Sequence, residues 1–104
     1  MIMAVINVTA NNFTEVTGTG KVLLDFYADW CAPCRRLSPR VERFSEEYPD
    51  IKVGKINIDS EMELAMKFGV MSIPTLVVLR DGNLVTKSVG EIEYEKLVSI
   101  VAEA

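Results

Sequence analysis

The 104-residue sequence contains no histidine and only two cysteines, Cys31 and Cys34. A structural zinc site takes four soft ligands, and two thiols without a histidine or a third cysteine do not complete one within this chain. No stretch approaches the roughly 18 uninterrupted apolar residues of a membrane-spanning helix. The opening MIMAVINV has neither the basic region nor the cleavage site of a signal peptide, and we interpret it as a strand.

Basic residues are also fewer than acidic ones: the chain has 11 lysines and arginines and 15 aspartates and glutamates, which gives a net charge of −4. This balance argues against a general affinity for nucleic acid or for an anionic membrane. The length suffices for one hydrophobic core, and we predict a single domain over residues 1–104. Because the sequence shows neither a signal peptide nor a membrane span, we expect a cytoplasmic protein, and in that compartment an isolated cysteine pair is more often catalytic than structural.

The cysteine pair follows an apolar segment, Val22–Tyr27, and stands where the next helical pattern begins. Only Ala32 and Pro33 separate the two thiols, so they lie about one helical turn apart. That spacing suits the Cα–Cα distance of roughly 4.4–6.8 Å that a disulfide requires. The N–H groups and the dipole of a helix N-terminus would also stabilise a thiolate at this place.

Four interpretations of this pair compete. A purely structural bridge closing so short a loop would contribute only about 2 kcal/mol through chain entropy. A zinc site fails on the number of ligands, and a metal or iron–sulfur centre shared between two chains needs a partner. A redox-active dithiol explains the spacing, the helix start and the lack of other cysteines together, and we favour it.

The apolar patterns predict the element order βαβαβαββα, an α/β fold. A near-continuous apolar strand, a helix and a second strand over Val22–Ile58 form a βαβ crossover, so these two strands are parallel. Asp81-Gly82 predicts a tight hairpin between two later strands. The result is a mixed five-stranded sheet with four helices on both faces, with strands at 4–8, 22–27, 51–58, 75–80 and 84–89.

Three short patterns predict where two of the helices begin or end. Asn12 with Glu15, and Ser60 with Glu63, have the spacing of capping boxes. Gly69 suits the C-terminal end of the helix that Ser60 opens.

The helix that follows the cysteines has a predicted buried stripe at helical spacing. Pro39 lies off this stripe and removes one backbone donor, which predicts a kink. The charged remainder of the helix is interpreted as a solvated face rather than a partner-binding patch. The stripe consists of Cys34, Leu37, Val41, Phe44 and Tyr48, and the charged residues include Arg35, Arg36, Arg40, Glu42, Arg43, Glu46 and Glu47.

The segment Trp30–Cys34, WCAPC, resembles the active-site motif of the thioredoxin family. The resemblance covers nearly the whole chain and implies the thioredoxin fold. Ala32 departs from the glycine that is usual in the family motif, and this departure bears on the redox potential. Further matching segments are Asp25-Phe26-Tyr27-Ala28, Pro39, Lys55-Ile56-Asn57-Ile58-Asp59, Ile73-Pro74-Thr75, Gly82 and Gly90.

The position of each cysteine predicts its role in thiol–disulfide exchange. Cys31 precedes the first helical turn, so we expect it to be the more accessible thiol and to attack. Cys34 lies one turn inside, and we expect it to be shielded and to resolve. Asp25 lies within an apolar strand, so burial should raise its carboxyl pKa and let it exchange protons with Cys34. The resemblance supports that role, and Lys55 is a candidate neighbour of Asp25 from the adjacent strand.

A substrate-docking surface is expected beside the cysteines. Trp30 is predicted to be a partly exposed lid, and the resemblance implies a cis Ile73–Pro74 bond that leaves Ile73 backbone groups open to a substrate. Met71 and Gly90 would complete the surface, although Met71 is equally well explained as a core residue.

The favoured function is a protein-disulfide reductase with no cofactor besides the Cys31–Cys34 disulfide. The resemblance implies recharging by a thioredoxin reductase and disulfide-containing protein substrates, and we expect a monomer. The alternative is a non-catalytic module that binds a partner through the same surface. The presence of both thiols favours the enzyme, since a binder needs neither.

Overall fold

The central strand of the sheet leads directly into the cysteine pair. The computed structural model describes residues 5–104, within which the chain forms five strands and four helices. The elements are β1 (Val5–Asn7), α1 (Phe13–Thr17), β2 (Lys21–Tyr27), α2 (Ala32–Glu47), β3 (Lys52–Asn57), α3 (Met62–Lys67), β4 (Thr75–Arg80), β5 (Asn83–Val89) and α4 (Tyr94–Glu103). The predicted order of elements is confirmed, while Ala4, the predicted start of the first strand, lies outside the described residues.

The sheet has the strand order β1-β3-β2-β4-β5. β3 runs parallel to both β1 and β2, whereas β4 is antiparallel to β2 and to β5. The βαβ crossover and the hairpin are therefore confirmed. Asp81 and Gly82 both have positive φ, 51° and 84°, as the tight turn between two strands requires.

Helices cover both faces of the sheet, as predicted. Alternation along β2 sends Leu24 and Phe26 into a core layer with α1 and α3, and sends Leu23 into the layer of α2 and α4. Asp25 alternates with Leu24 and Phe26, so it faces α2. The fold thus places a carboxylate under the helix that carries the cysteines.

The two predicted capping boxes are wrong, because their polar side chains have other partners. Asn12 Oδ1 accepts from the backbone N–H of Thr9 at 2.8 Å, and Asn12 Nδ2 donates to Asn7 O. Ser60 Oγ donates to Asn57 O at 3.4 Å. Neither helix start receives a side-chain cap. Gly69 does follow α3 with φ 64°, as its predicted role requires.

The predicted stripe of α2 is buried at its first four positions and fails at the fifth. Tyr48 ends the helix with 39% of its surface exposed and stacks on Phe44, with ring centroids 4.7 Å apart. The helix continues through Pro39 to Glu47, and the kink at Pro39 stays a prediction.

The two ends of the sheet have different neighbours. The start of β2 and the end of β4 meet the end of α4, where Lys21 Nζ donates to Val101 O at 2.9 Å and Arg80 Nη2 donates to Ala104 O at 2.6 Å. The end of β2 and the start of β4 lie at the other end, next to the cysteines.

Candidate functional site

The disulfide between Cys31 and Cys34 lies at the start of α2, with a Cα–Cα distance of 5.2 Å. Cys31 is the N-cap residue, in extended conformation, and the backbone N–H of Cys34 donates to Cys31 Sγ at 3.2 Å. Pro33 stands in the first turn, where a helix has backbone donors without internal partners, so its missing N–H leaves no bond unmade. The Cys31 sulfur therefore occupies the positive end of a 16-residue helix.

Both sulfur-bearing residues are nearly buried in the disulfide form. Cys31 is 5% exposed and Cys34 is 3% exposed, so the predicted contrast between an accessible Cys31 and a shielded Cys34 is wrong for the disulfide form. They pack in one cluster with Ala28 and, at its margin, Tyr27 and Ile73. What distinguishes the two cysteines is the hydrogen bond from the helix to the Cys31 sulfur.

The Ile73–Pro74 peptide bond is cis and faces the disulfide. Cys31 Sγ lies 3.9 Å from Ile73 O. The backbone N–H of Gly90 donates to Pro74 O at 2.8 Å, which joins the segment after β5 to the same turn. The structure thus brings three of the predicted docking positions, Ile73, Pro74 and Gly90, to the cysteine end of the sheet.

Asp25 is buried behind the disulfide, with 5% of its surface exposed. Burial raises the pKa of its carboxyl from 3.8 to about 7, and the positive charge of Lys55 opposes this shift. Lys55 is the register partner of Asp25 on β3, as the sequence predicted. Asp25 Oδ1 makes no hydrogen bond to any of the residues 5–104. The carboxyl therefore stands ready to change its protonation state near neutral pH.

An open cleft of about 230 Å³ connects this carboxyl with the second cysteine. Asp25, Cys34 and Lys55 all line it, together with Arg35 and Ser38. Such a volume has room for water molecules that could carry a proton between the two acidic groups. The predicted proximity of Asp25 to Cys34 agrees with this arrangement.

Trp30 is 67% exposed beside Cys31, as expected of a lid. Its indole Nε1 donates to Asp59 Oδ2 at 2.9 Å. Asp59 was not predicted to contact the site. Its position could have indicated this contact. Asp59 follows β3 and Trp30 follows β2, and these parallel strands end at the same edge of the sheet.

Met71 is 96% exposed, so it is not a core residue. It precedes Ile73 of the cis bond by two residues, and its membership of the docking surface stays a prediction.

Glu91, which was not predicted as a site residue, binds two arginines of α2. Arg36 Nε donates to Glu91 Oε1 at 2.9 Å, and Arg40 Nη1 donates to Glu91 Oε2 at 3.0 Å. The charged face of α2 is therefore only partly a solvated surface. No local pattern could reveal these pairs, because Glu91 lies 55 and 51 residues from its partners.

Within residues 5–104 no group of three or more histidine, cysteine or acidic side chains is arranged to hold a metal ion. In the same range no helix is both long and apolar enough to cross a membrane. The redox centre is the Cys31–Cys34 disulfide of the chain itself.

Comparisons with known proteins agree with this geometry. The family model described as Thioredoxin matches residues 4–103. The chain is 45% identical over 100 residues to thioredoxin of Bacillus subtilis, covering 95% of this chain and 96% of that protein. It is 42% identical over 94 residues to thioredoxin of Chlamydia pneumoniae, covering 90% and 92%.

A solved mutant thioredoxin from Halobacterium salinarum superposes with a TM-score of 0.90 at 38% identity, covering 95% of this chain and 88% of that one. A thioredoxin from Malassezia sympodialis gives a TM-score of 0.86 at 27% identity, covering 96% and 89%. The predicted fold is confirmed by these likenesses. The chain belongs to the thioredoxin family, and it is a thiol–disulfide oxidoreductase of the protein-disulfide reductase type.

Proposed function

We propose that Cys31 attacks the disulfide of a protein substrate and that Cys34 resolves the resulting mixed disulfide. The observation that carries this assignment is the hydrogen bond from the Cys34 backbone N–H to Cys31 Sγ, at the N-terminus of α2. The same donor and the helix dipole stabilise negative charge on Cys31 in the reduced protein. Cys34 lies one turn inside the helix and has no comparable donor among the described residues.

The exchange proceeds in two displacements. The Cys31 thiolate forms a bond to one substrate sulfur, and the other substrate sulfur leaves as a thiolate that takes a proton from solvent. Cys34 then loses its proton and attacks Cys31 Sγ, which releases the second substrate thiolate. The substrate gains two electrons and two protons, and the protein is left with the Cys31–Cys34 disulfide.

Asp25 supports the second displacement by taking the proton of Cys34. With a pKa of about 7, its carboxyl is partly ionised at neutral pH and can accept that proton. The shared cleft provides the route, and Lys55, which lowers the pKa of Asp25, keeps part of the carboxyl population ionised.

The substrate docks on the surface formed by Trp30, Met71, Ile73, Pro74 and Gly90. Exposed apolar area on Trp30 and Met71 supports this role. Ile73 makes no backbone–backbone hydrogen bond within residues 5–104, so its N–H and C=O remain able to pair with an extended substrate peptide. Such pairing would hold the substrate disulfide next to Cys31.

The protein acts on disulfide-containing proteins and is recharged by a thioredoxin reductase. The second displacement leaves a disulfide that must receive two electrons before the next cycle, which a dedicated reductase would supply. We place the protein in the cytoplasm as a single-domain monomer. The mechanism supports the cytoplasmic placement, because the cysteine pair works as a dithiol and a reducing compartment keeps it in that form.

The roles of the two cysteines are tested by insulin reduction in the presence of dithiothreitol. Cys31→Ser should lose the catalysed rate, and a rate equal to that of the wild type would contradict the mechanism. In a separate reaction of the reduced variant without dithiothreitol, Cys34→Ser should accumulate a mixed disulfide through Cys31, detectable by mass spectrometry. Cys31→Ser is the matched control, and an equal yield of trapped substrate on Cys34 would reverse the two roles.

A further inference from the structure

One carboxylate ties the loop between β5 and α4 to the helix that carries the cysteines. Glu91 uses both of its oxygens, one for Arg36 and one for Arg40, at 2.9 and 3.0 Å. Arg40 Nη1 also donates to the backbone carbonyl of Ile92 at 3.0 Å. We call these three side chains, Glu91, Arg36 and Arg40, the loop clamp.

The loop clamp holds the residue next to a docking position. Gly90, which precedes Glu91, donates its N–H to Pro74 O at 2.8 Å and has φ of +100°. The Gly90 segment is therefore fixed from two sides, by the cis-proline turn and by α2. Without the clamp, the bond to Pro74 alone would not fix the orientation of a glycine segment, because glycine has wide conformational freedom.

We propose that Glu91 is a positioning residue for substrate docking, which it supports by holding Gly90 against the cis-proline turn through Arg36 and Arg40. This inference rests on the proposed docking role of the surface that contains Gly90. It predicts that Glu91 matters for protein disulfides, which need the docking surface, and not for small disulfides, which need only the two cysteines.

The charges of the loop clamp suit a fixed support. Hydrogen bonds between arginine and carboxylate are stronger and more directional than neutral ones. The Arg36 hydrogen bond, followed by the contribution of Arg40, lowers the pKa of Glu91, so the carboxylate stays ionised throughout the neutral range. Partly exposed ion pairs contribute little to the free energy of unfolding, so removing one charge should leave the fold intact.

Glu93 provides a matched control two residues further along the chain. It has the same charge, but its side chain is 80% exposed and reaches Arg40 only at 4.0 Å. Glu91→Gln and Glu93→Gln therefore change the net charge equally, while only the first takes from the loop clamp its charge and one of its two acceptor oxygens.

The experiment compares two substrates, insulin and oxidised glutathione. We expect Glu91→Gln to raise the KM for insulin about fivefold, the size of effect that losing a partly exposed charged pair can produce. The kcat for insulin, the rate with oxidised glutathione and the redox potential should match the wild type. An unchanged KM for insulin would overturn the proposal, as would equal slowing with both disulfides or the same rise in KM for Glu93→Gln.

Trp30→Ala separates this inference from the docking surface on which it rests. If Trp30→Ala raises the KM for insulin and Glu91→Gln does not, the docking surface stands and the role of Glu91 is wrong. If neither variant raises it, the docking surface itself is wrong. Circular dichroism of Glu91→Gln, matching that of the wild type, confirms that any rise in KM comes from a folded protein.

Discussion

Asp25 and Glu91 are two carboxylates close to the same helix, and their surroundings are opposite. Asp25 is buried under α2, and its Oδ1 makes no hydrogen bond to the described residues. Glu91 is partly exposed beside α2, and each of its oxygens binds an arginine. Burial raises the pKa of Asp25 to about 7, whereas the arginine hydrogen bonds lower the pKa of Glu91.

The difference shows how one functional group can serve two purposes in a small site. A carboxyl with a pKa near the working pH exchanges protons, which is the property that acid–base catalysis needs. A carboxylate that is ionised at every working pH holds a fixed geometry instead. Because this chain has no histidine, we propose that the buried carboxyl of Asp25 takes over proton exchange near neutral pH.

The largest expected effect comes from removing the buried charge. Since the folded-state pKa of Asp25 is raised, folding disfavours ionisation, and the stability present at low pH is lost as the pH rises from about 4 towards 7. A shift of this size corresponds to about 4 kcal/mol. Asp25→Asn should abolish this loss. Urea unfolding of the oxidised wild type and of Asp25→Asn between pH 4 and 8 measures this pH dependence of the free energy of unfolding. If the two proteins lost stability in parallel, Asp25 would not be the group with the raised pKa.

The next effect is kinetic and concerns the proton of Cys34. Asp25→Ala should slow resolution of the mixed disulfide at pH 7 by about 100-fold, the lower range for loss of a general base. The first attack by Cys31 should change far less. Single-turnover stopped-flow measurements resolve the two steps, and Glu93→Gln, which also removes one exposed carboxylate, serves as the control with normal rates of both steps. Equal slowing of both steps would remove Asp25 from proton exchange.

A smaller effect is expected at Ala32, which lies between the two cysteines and carries no ionisable group. Ala32 begins α2 and is not among the described residues with positive φ, so its methyl group is compatible with the backbone. Ala32→Gly should therefore lower the free energy of unfolding by roughly 0.4–1 kcal/mol, through the freer unfolded chain. A calorimetric increase in stability would contradict this reasoning.

The presence of alanine rather than glycine at position 32 is also expected to affect the redox potential of the wild-type protein only slightly. A methyl group that fits the dithiol and disulfide states nearly equally should shift the potential by at most about 30 mV from the thioredoxin value near −270 mV. A glutathione titration that placed the couple near −120 mV would assign the protein to disulfide formation instead.

The smallest expected effect concerns Glu91, whose contribution to the free energy of unfolding should not change with pH in the neutral range. The lowered pKa of Glu91 makes its contribution to stability fully present above its ordinary value of 4.5 and lost only at lower pH. The difference in urea midpoint between Glu91→Gln and the wild type should thus be constant from pH 5 to pH 8. A difference that changes in this range would show that Glu91 titrates like Asp25.

The sequence predicted those features that depend on periodicity and spacing. Alternating and continuous apolar patterns gave the strand order along the chain, and the parallel crossover placed Lys55 beside Asp25. The cysteine spacing predicted the active-site turn. These features follow from local geometry that any chain with this pattern must adopt.

The sequence could not reveal contacts in which a side chain chooses among several possible hydrogen-bond partners or pairs with a residue far away in the chain. Asn12 and Ser60 had the pattern of helix caps, yet each binds a backbone group at the end of the preceding strand. Glu91 was missed because its arginines lie more than 50 residues away. In both cases the deciding partner is identified only when the elements have packed.

The position of α4 has a practical consequence for capturing partners of this protein. The end of α4 binds the start of β2 and the end of β4, through Lys21 and Arg80. The cysteines lie at the opposite end of these strands, a distance of about 20 Å along a seven-residue strand. A solid support linked at the end of α4 therefore orients every immobilised molecule with its disulfide towards the solution, where large substrates can reach it.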